Sequence, residues 1–250
     1  MNTATKIPCI AFDYGGTLDT NGVHWSEILW QKYKELHIPI DKDAFREAYI
    51  YGEKTLAAQA LIKPEATFYD VLRIKCNLQT DFLYKQDYLK PSAETHYYPE
   101  EIAKSCYTHV KAVMQTTETM LEKLSENYRI ALVSNFYGNL RSVLNDLHIL
   151  HYFNCIIESA SAGVRKPDPE IFRVAARTLG CRQDEMTVIG DSFSKDILPA
   201  HSIGCRTVWL KGAGWEEGKE DLSVPDAIIT DIRQVPDVLK KLIHPEMLHR

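Results

Sequence analysis

Ile7-Pro8-Cys9-Ile10-Ala11-Phe12-Asp13-Tyr14-Gly15-Gly16-Thr17-Leu18-Asp19 is the stretch whose reading decides the fold. A short apolar run ends on an aspartate and a glycine pair, so a strand carries a carboxylate to its C-terminal end and the backbone then turns sharply. Runs of the same kind recur at Arg129–Ser134, Cys155–Glu158, Met186–Gly190, Cys205–Leu210 and Asp226–Ile229. Most are separated by helical periodicity, as at Asn139–Leu147, Pro169–Leu179 and Lys195–Ser202. This alternation predicts an α/β fold with a doubly wound parallel sheet.

Between about Thr20 and Met114 the pattern changes, and helical spacing dominates with no convincing strand. Ile28, Leu29, Trp30, Tyr33 and Leu36 fall at helical spacing within Trp25–Leu36, and Pro39 stops the helix; Asp41 caps a longer helix expected to end near Pro64; Thr67, with Asp70 three positions on, caps another. The interval holds 14 of the 25 aromatic residues, enough to fill the core of a separate helical unit. The expected division is a sheet domain made of residues 1–19 and 115–250, interrupted by a helical domain at 20–114.

Ligands of open α/β sheets sit beyond the carboxyl ends of the strands, and four such ends carry polar residues. The first offers Asp13, the Gly15-Gly16 pair, Thr17 and Asp19. The second offers Ser134 and Asn135, the third Lys166 in Arg165-Lys166-Pro167-Asp168-Pro169, and the fourth Asp191 and Asp196 in Gly190-Asp191-Ser192-Phe193-Ser194-Lys195-Asp196. Singly, each has a local explanation. Asp19 braces a turn, Asp168 caps a helix with Pro169 at its first position, and Asp196 caps the next helix. Together they suit phosphoryl transfer, in which positioning and charge neutralisation dominate. Hard oxygen ligands from Asp13, Asp191 and Asp196 suit Mg2+, while Ser134 and Lys166 are placed to stabilise a transferring phosphoryl group.

Composition narrows the partners. A chain of 250 residues with 45% hydrophobic residues buries a substantial core, and a formal charge of -5 provides no basic field for nucleic acid or anionic lipid. A small phosphorylated metabolite is the expected partner, with neither nucleic acid nor membrane; the oligomeric state stays open. The six cysteines form no CxxC pair. MNTATKIPCIAF has no leader pattern, and no run reaches the roughly 18 apolar residues a bilayer needs, so the expected location is the cytoplasm. Gly212-Ala213-Gly214 reads as a loop rather than a dinucleotide fingerprint, and His24 is the one histidine near the first loop that merits watching as a proton carrier.

The four strand ends resemble the four motifs of the haloacid dehalogenase superfamily across nearly the whole chain. The resemblance implies a Rossmann-like core with a helical cap, a nucleophile at Asp13, a motif-two hydroxyl at Ser134, a motif-three lysine at Lys166, and motif-four acids at Asp191 and Asp196. Magnesium would be bound by these acids and by the main-chain carbonyl of Gly15, with Thr17, Asn135 and Lys54 as substrate contacts. One position departs from the pattern: the family's phosphatases carry a second aspartate, the general acid and base, where this chain has Gly15. General acid–base help contributes roughly 10²–10⁴-fold, so hydrolysis of ordinary alkyl phosphates is expected to be slow. Asp13-Tyr14-Gly15-Gly16-Thr17 is also similar to the phosphonatase branch, in which a cap lysine forms a Schiff base and Lys54 would be its counterpart. The motifs leave room for two more activities, a dehalogenase and a weakly catalytic protein that binds phosphorylated metabolites.

Overall fold

The apolar runs become six strands in the computed structural model, which describes residues 7–92, 95–214 and 220–243. They are β1 (Cys9–Phe12), β2 (Arg129–Ser134), β3 (Cys155–Glu158), β4 (Met186–Gly190), β5 (Arg206–Leu210) and β6 (Ala227–Ile229), in the order β3-β2-β1-β4-β5-β6. Every pairing is parallel, with Cys9 opposite both Arg129 and Met186. The first six residues of the N-terminal segment expected in the sheet domain lie outside the described residues.

Period-2 alternation assigns the two faces of the sheet. Ile10 and Phe12 of β1, with Ile130, Leu132, Ile189 and Val208, join the larger core, which runs continuously into the helical region. Cys9, Ala11, Ala131, Val133 and Val188 point the other way, onto Ile171, Phe172, Ala175 and Leu179. Small Cys and Ala side chains on that face let the helix lie close.

The helices are α1 (Trp25–Glu35), α2 (Lys42–Ala58), α3 (Phe68–Lys85), α4 (Tyr98–Ser125), α5 (Leu140–Asp146), α6 (Ser159–Ala162), α7 (Glu170–Leu179), α8 (Leu198–Ser202) and α9 (Val235–Ile243). Asp41 accepts from Ala44 N–H at 2.8 Å, and Thr67 with Asp70 forms a capping box. Helix α2 stops at Ala58, short of the expected Pro64: residues 57–61 are exposed and packed on no neighbouring core, and Gln59 turns to extended backbone. Helix α7 starts at Glu170, one residue later than expected, and Asp168 Oδ1 accepts from the Glu170 N–H at 2.9 Å.

Helix α4 spans 28 residues, about 42 Å at 1.5 Å per residue. It touches α1 and α3 along one part and α9 along another, and it passes unbroken through position 114, the expected division between the units. The Thr117 hydroxyl donates to the carbonyl of Leu18 at 2.8 Å, fastening α4 to the turn after β1. Among the described residues no helix is long and apolar enough to cross a membrane.

Candidate active site

Strand order alone sets the geometry of the site. β1 lies between β2 and β4, where the winding direction reverses, so the segments leaving the three strands open a crevice at their carboxyl ends. Asp13, Ser134 and Asp191 all stand on its rim, and Lys166, which follows β3, reaches in between them. The crevice continues into a cavity of about 1090 Å³ walled by both sheet and helical residues.

Lys166 is the hub. Its ammonium lies 2.5 Å from Asp13 Oδ1 and 2.6 Å from Asp196 Oδ1, with all three residues buried. Burial works to lower the Lys166 pKa, but the two carboxylates outweigh it and hold the side chain charged. Ligand oxygens of Asp13, Asp191 and Asp196 lie within 4.8 Å of one another. The Thr17 hydroxyl sits 3.0 Å from Asp191 Oδ1 and 3.3 Å from Asp13 Oδ2, and accepts from the Asp191 N–H at 3.0 Å. Asp196 opens no helix as a cap; it lies inside a π-helical turn, Phe193–Ile197, and its Oδ2 accepts from Ser192 N–H at 3.1 Å.

Charge balance tests whether this set fits a metal. The buried Asp13 and Asp196 and the half-buried Asp191 face one lysine, leaving carboxylates in excess of cations. Burial, and then Asp13 and Asp196, push Asp191 well above the ordinary carboxylate range; Asp196 is pushed by burial up to about 6. A divalent cation with a preference for hard oxygen supplies the missing charge. The residues present fit Mg2+.

Glycines keep this pocket open. A Cβ on Gly16, whose φ is +98°, would lie 2.6 Å from Asp191 Cγ, and one on Gly190 would lie 2.5 Å from Asp196 Cβ. At Gly15 the situation is reversed: a Cβ there would meet Trp25 Cδ1 as its nearest outside atom, at 4.0 Å, which is ordinary contact. Space for a side chain at position 15 is therefore available.

The remaining expectations divide. Ser134, 2% exposed, lines the cavity as expected. The loop after it is tied down by Glu158, which accepts from Gly138 N–H at 2.6 Å and Leu140 N–H at 3.3 Å. Asn135 also lines the cavity, but its amide is committed to the main chain of Lys166, donating to its carbonyl and accepting from its N–H, both at 2.9 Å. It positions the lysine instead of being free for substrate. Lys54 is exposed and is absent from the cavity wall. His24 caps α1, accepting from Ser26 N–H at 3.2 Å, and burial lowers its pKa to about 4. It is neutral at physiological pH, which removes it as a proton carrier. The Gly212 loop packs so tightly on the carbonyl of Gly22 that no side chain fits there, and Ala213 O accepts from His24 N–H at 2.9 Å.

Sequence reasoning misses the polar wall contributed by the helices. Lys75, 7% exposed, sits on α3 with its Nζ 2.6 Å from Glu53 Oε1 of α2; both line the cavity with Tyr49 and Tyr137. Burial works to lower the Lys75 pKa, but Glu53, Tyr137 and Tyr49 outweigh it, so the ammonium is held well above its ordinary value. Nothing in the spacing of α3 distinguishes Lys75 from a solvated lysine. Trp209, whose indole N–H donates to Asp191 O at 2.8 Å, is likewise no more than a strand residue in the sequence.

Comparison with known proteins shows the family and the fold. A family model described as haloacid dehalogenase-like hydrolase matches residues 7–204. Glyceraldehyde 3-phosphate phosphatase of Pyrococcus furiosus is 26% identical over 193 residues, covering 71% of this chain and 78% of that protein. Phosphoserine phosphatase of Thermus thermophilus is 33% identical over 107 residues, 42% of each chain. In fold, the chain is similar to a HAD phosphatase from Thermococcus onnurineus, with a TM-score of 0.52 and 22% identity over 93% of this chain and 97% of that one.

Proposed function

The chain belongs to the haloacid dehalogenase-like hydrolases, and from that premise we propose that it is a magnesium-dependent phosphatase of small phosphorylated metabolites that works through an aspartyl-phosphate on Asp13. The observation that carries this reading is the convergence on Asp13 of Lys166, Thr17 and two further carboxylates within 4.8 Å. Asp13, Asp191 and Asp196, with the main-chain carbonyl of Gly15, would hold the ion, whose charge allows a phosphate dianion to approach an anionic nucleophile.

The chain's own groups have clear tasks in this scheme. Lys166 fixes the Asp13 carboxylate through one oxygen and leaves the other to attack phosphorus. The Lys166 ammonium and the Ser134 hydroxyl stabilise the negative charge on the oxygens of the transferring group. Asn135 holds Lys166 through its main chain, and Glu158 ties down the loop that follows Ser134. Relatives named as phosphatases of glyceraldehyde 3-phosphate and phosphoserine support a small ester as substrate. The cavity volume suits a metabolite, and Glu53 with Lys75 offers its leaving group a polar wall.

Two observations count against a phosphonatase. Lys54 faces solvent away from the cavity, and Lys75, the cap lysine that does enter it, is kept protonated by Glu53, whereas Schiff-base formation needs a neutral amine. Dehalogenation needs no metal and gives no reason for Asp191 and Asp196 to face Asp13. The test is a screen of alkyl, aryl and acyl phosphates together with phosphonoacetaldehyde, with and without Mg2+. Metal-dependent phosphate release that disappears in Asp13→Asn is expected; binding of phosphate esters without steady release would establish a binding protein instead.

A further inference from the structure

Asp19 is fully buried, yet it forms part of the cavity wall. Its Oδ1 accepts from Gly16 N–H at 2.7 Å and its Oδ2 from the Trp25 indole N–H at 2.8 Å. Those separations, with the covalent bonds through Gly16 and the tight approach of Gly16 to Asp191, place Asp19 Oδ1 at most about 8 Å from the Asp191 carboxylate. The space a side chain at position 15 would fill is bounded by Trp25 Cδ1, and the indole nitrogen bonded to that same carbon donates to Asp19.

Building on the phosphatase reading, we propose that Asp19 supplies the acid–base function absent at Gly15, delivering a proton to the leaving group across the open space beside Gly15. In the first half-reaction an Asp13 oxygen bonds to phosphorus, the ester P–O bond breaks, and the departing oxygen takes the proton of the Asp19 carboxylic acid. In the second, water oxygen bonds to phosphorus, its proton passes to the Asp19 carboxylate, and the Asp13–phosphorus bond breaks to release phosphate.

The surroundings of Asp19 match both states. A carboxyl group has about four lone-pair directions; the N–H groups of Gly16 and Trp25 and Asp19's own backbone N–H account for three, leaving one to carry a proton. Those donors favour the anion that remains once the proton has left. Burial raises its pKa to about 7, against the Gly16 and Trp25 bonds that lower it and with Asp13 adding to the rise, so both forms are populated at neutral pH. His24, neutral and committed to the cap of α1, offers no competing carrier.

The test measures kcat with Mg2+ over phosphate esters spanning aryl to alkyl leaving groups, for the parent, Asp19→Asn, Trp25→Phe and the pair Gly15→Asp/Asp19→Asn. Asp19→Asn is expected to lose about 10²-fold or more on alkyl esters and only a few-fold on activated aryl esters. The double variant should regain alkyl hydrolysis. Trp25→Phe keeps the turn but removes a donor to the anion, so the alkaline limb of the kcat profile should move upward by about one pH unit. A loss in Asp19→Asn that is the same for all leaving groups, or a pH limb unmoved in Trp25→Phe, would reduce Asp19 to a brace of the turn. Absence of Asp13-dependent hydrolysis in the parent would instead overturn the phosphatase reading, and this proposal with it.

Discussion

Replacing Gly15 by aspartate places a carboxyl group where the family's phosphatases carry their general acid, and the energetic consequences follow from the geometry around it. The φ of Gly15 lies outside the left-handed region, and a Cβ there meets nothing closer than Trp25 Cδ1 at 4.0 Å. Backbone strain is therefore absent, and loss of glycine freedom in the unfolded chain favours folding by about 0.4–1 kcal/mol. Against this, at the roughly 6.6 Å that separates residues i and i+2 of an extended chain, the new carboxylate repels Asp13 by about 2.5 kcal/mol at an effective dielectric of 20. The site is open at position 15, which screens part of this, and a bound divalent cation reverses its sign. The variant should unfold at a slightly lower temperature than the parent without Mg2+ and at an equal or higher one with it. Its kcat on alkyl phosphates should rise by about 10²-fold, the lower end of the range for general acid catalysis because Asp19 already supplies part of it. Thermal unfolding with and without Mg2+, beside phosphate release from alkyl and aryl esters, measures both. A folded Gly15→Asp protein with unchanged or lower alkyl turnover would refute the idea that the missing acid limits this enzyme.

Its neighbour should behave in the opposite way: Gly16→Ala puts a Cβ 2.6 Å from Asp191 Cγ at a φ of +98°, which is expected to cost about 1–2 kcal/mol in backbone strain and to weaken Mg2+ binding in a calorimetric titration. Lys75→Met leaves Glu53 without its ion-pair partner; since Glu53 is 35% exposed, the loss should stay near the bottom of the ~3–5 kcal/mol range for a broken buried pair, and KM for polar esters should rise more than kcat falls. For pH, the folded pKa of Asp19 is raised to about 7 from an ordinary value of 3.8. A group raised in the folded state contributes stability below its unfolded value that is lost as pH climbs through the folded one. Metal-free protein should therefore lose up to about 4 kcal/mol from this group between pH 4 and pH 7, and Asp19→Asn should show a shallower decline of unfolding temperature over that window.

Much of the fold is legible in the sequence because its determinants are local. Strands of four to six residues ending in Asp13, Ser134 and Gly190-Asp191 are written as short apolar runs that stop at a polar residue. Parallel pairing follows from the helices between them. Carboxyl ends of parallel strands must face the same way, so Asp13, Asp191, Lys166 and Ser134 group together without a single distance being known. Asp41 and the Thr67–Asp70 box are readable for the same reason, since each acts on backbone within three residues.

What only the tertiary structure decided depends on phase and on contacts between distant segments. Successive residues on a helix are rotated by about 100°, so Glu53 enters the cavity while Lys54, one position on, faces solvent. Lys75 acquires its role only because α3 packs on α2 and brings it to Glu53. Asn135 turns to Lys166, 31 residues away, because the loops after β2 and β3 emerge side by side. Asp19 reads in the sequence as a turn brace, and it does hold Gly16 N–H. Its burial against Trp25, at the edge of the space left by Gly15, is a property of how α1 folds back over the first loop, and no pattern within the loop itself encodes that approach.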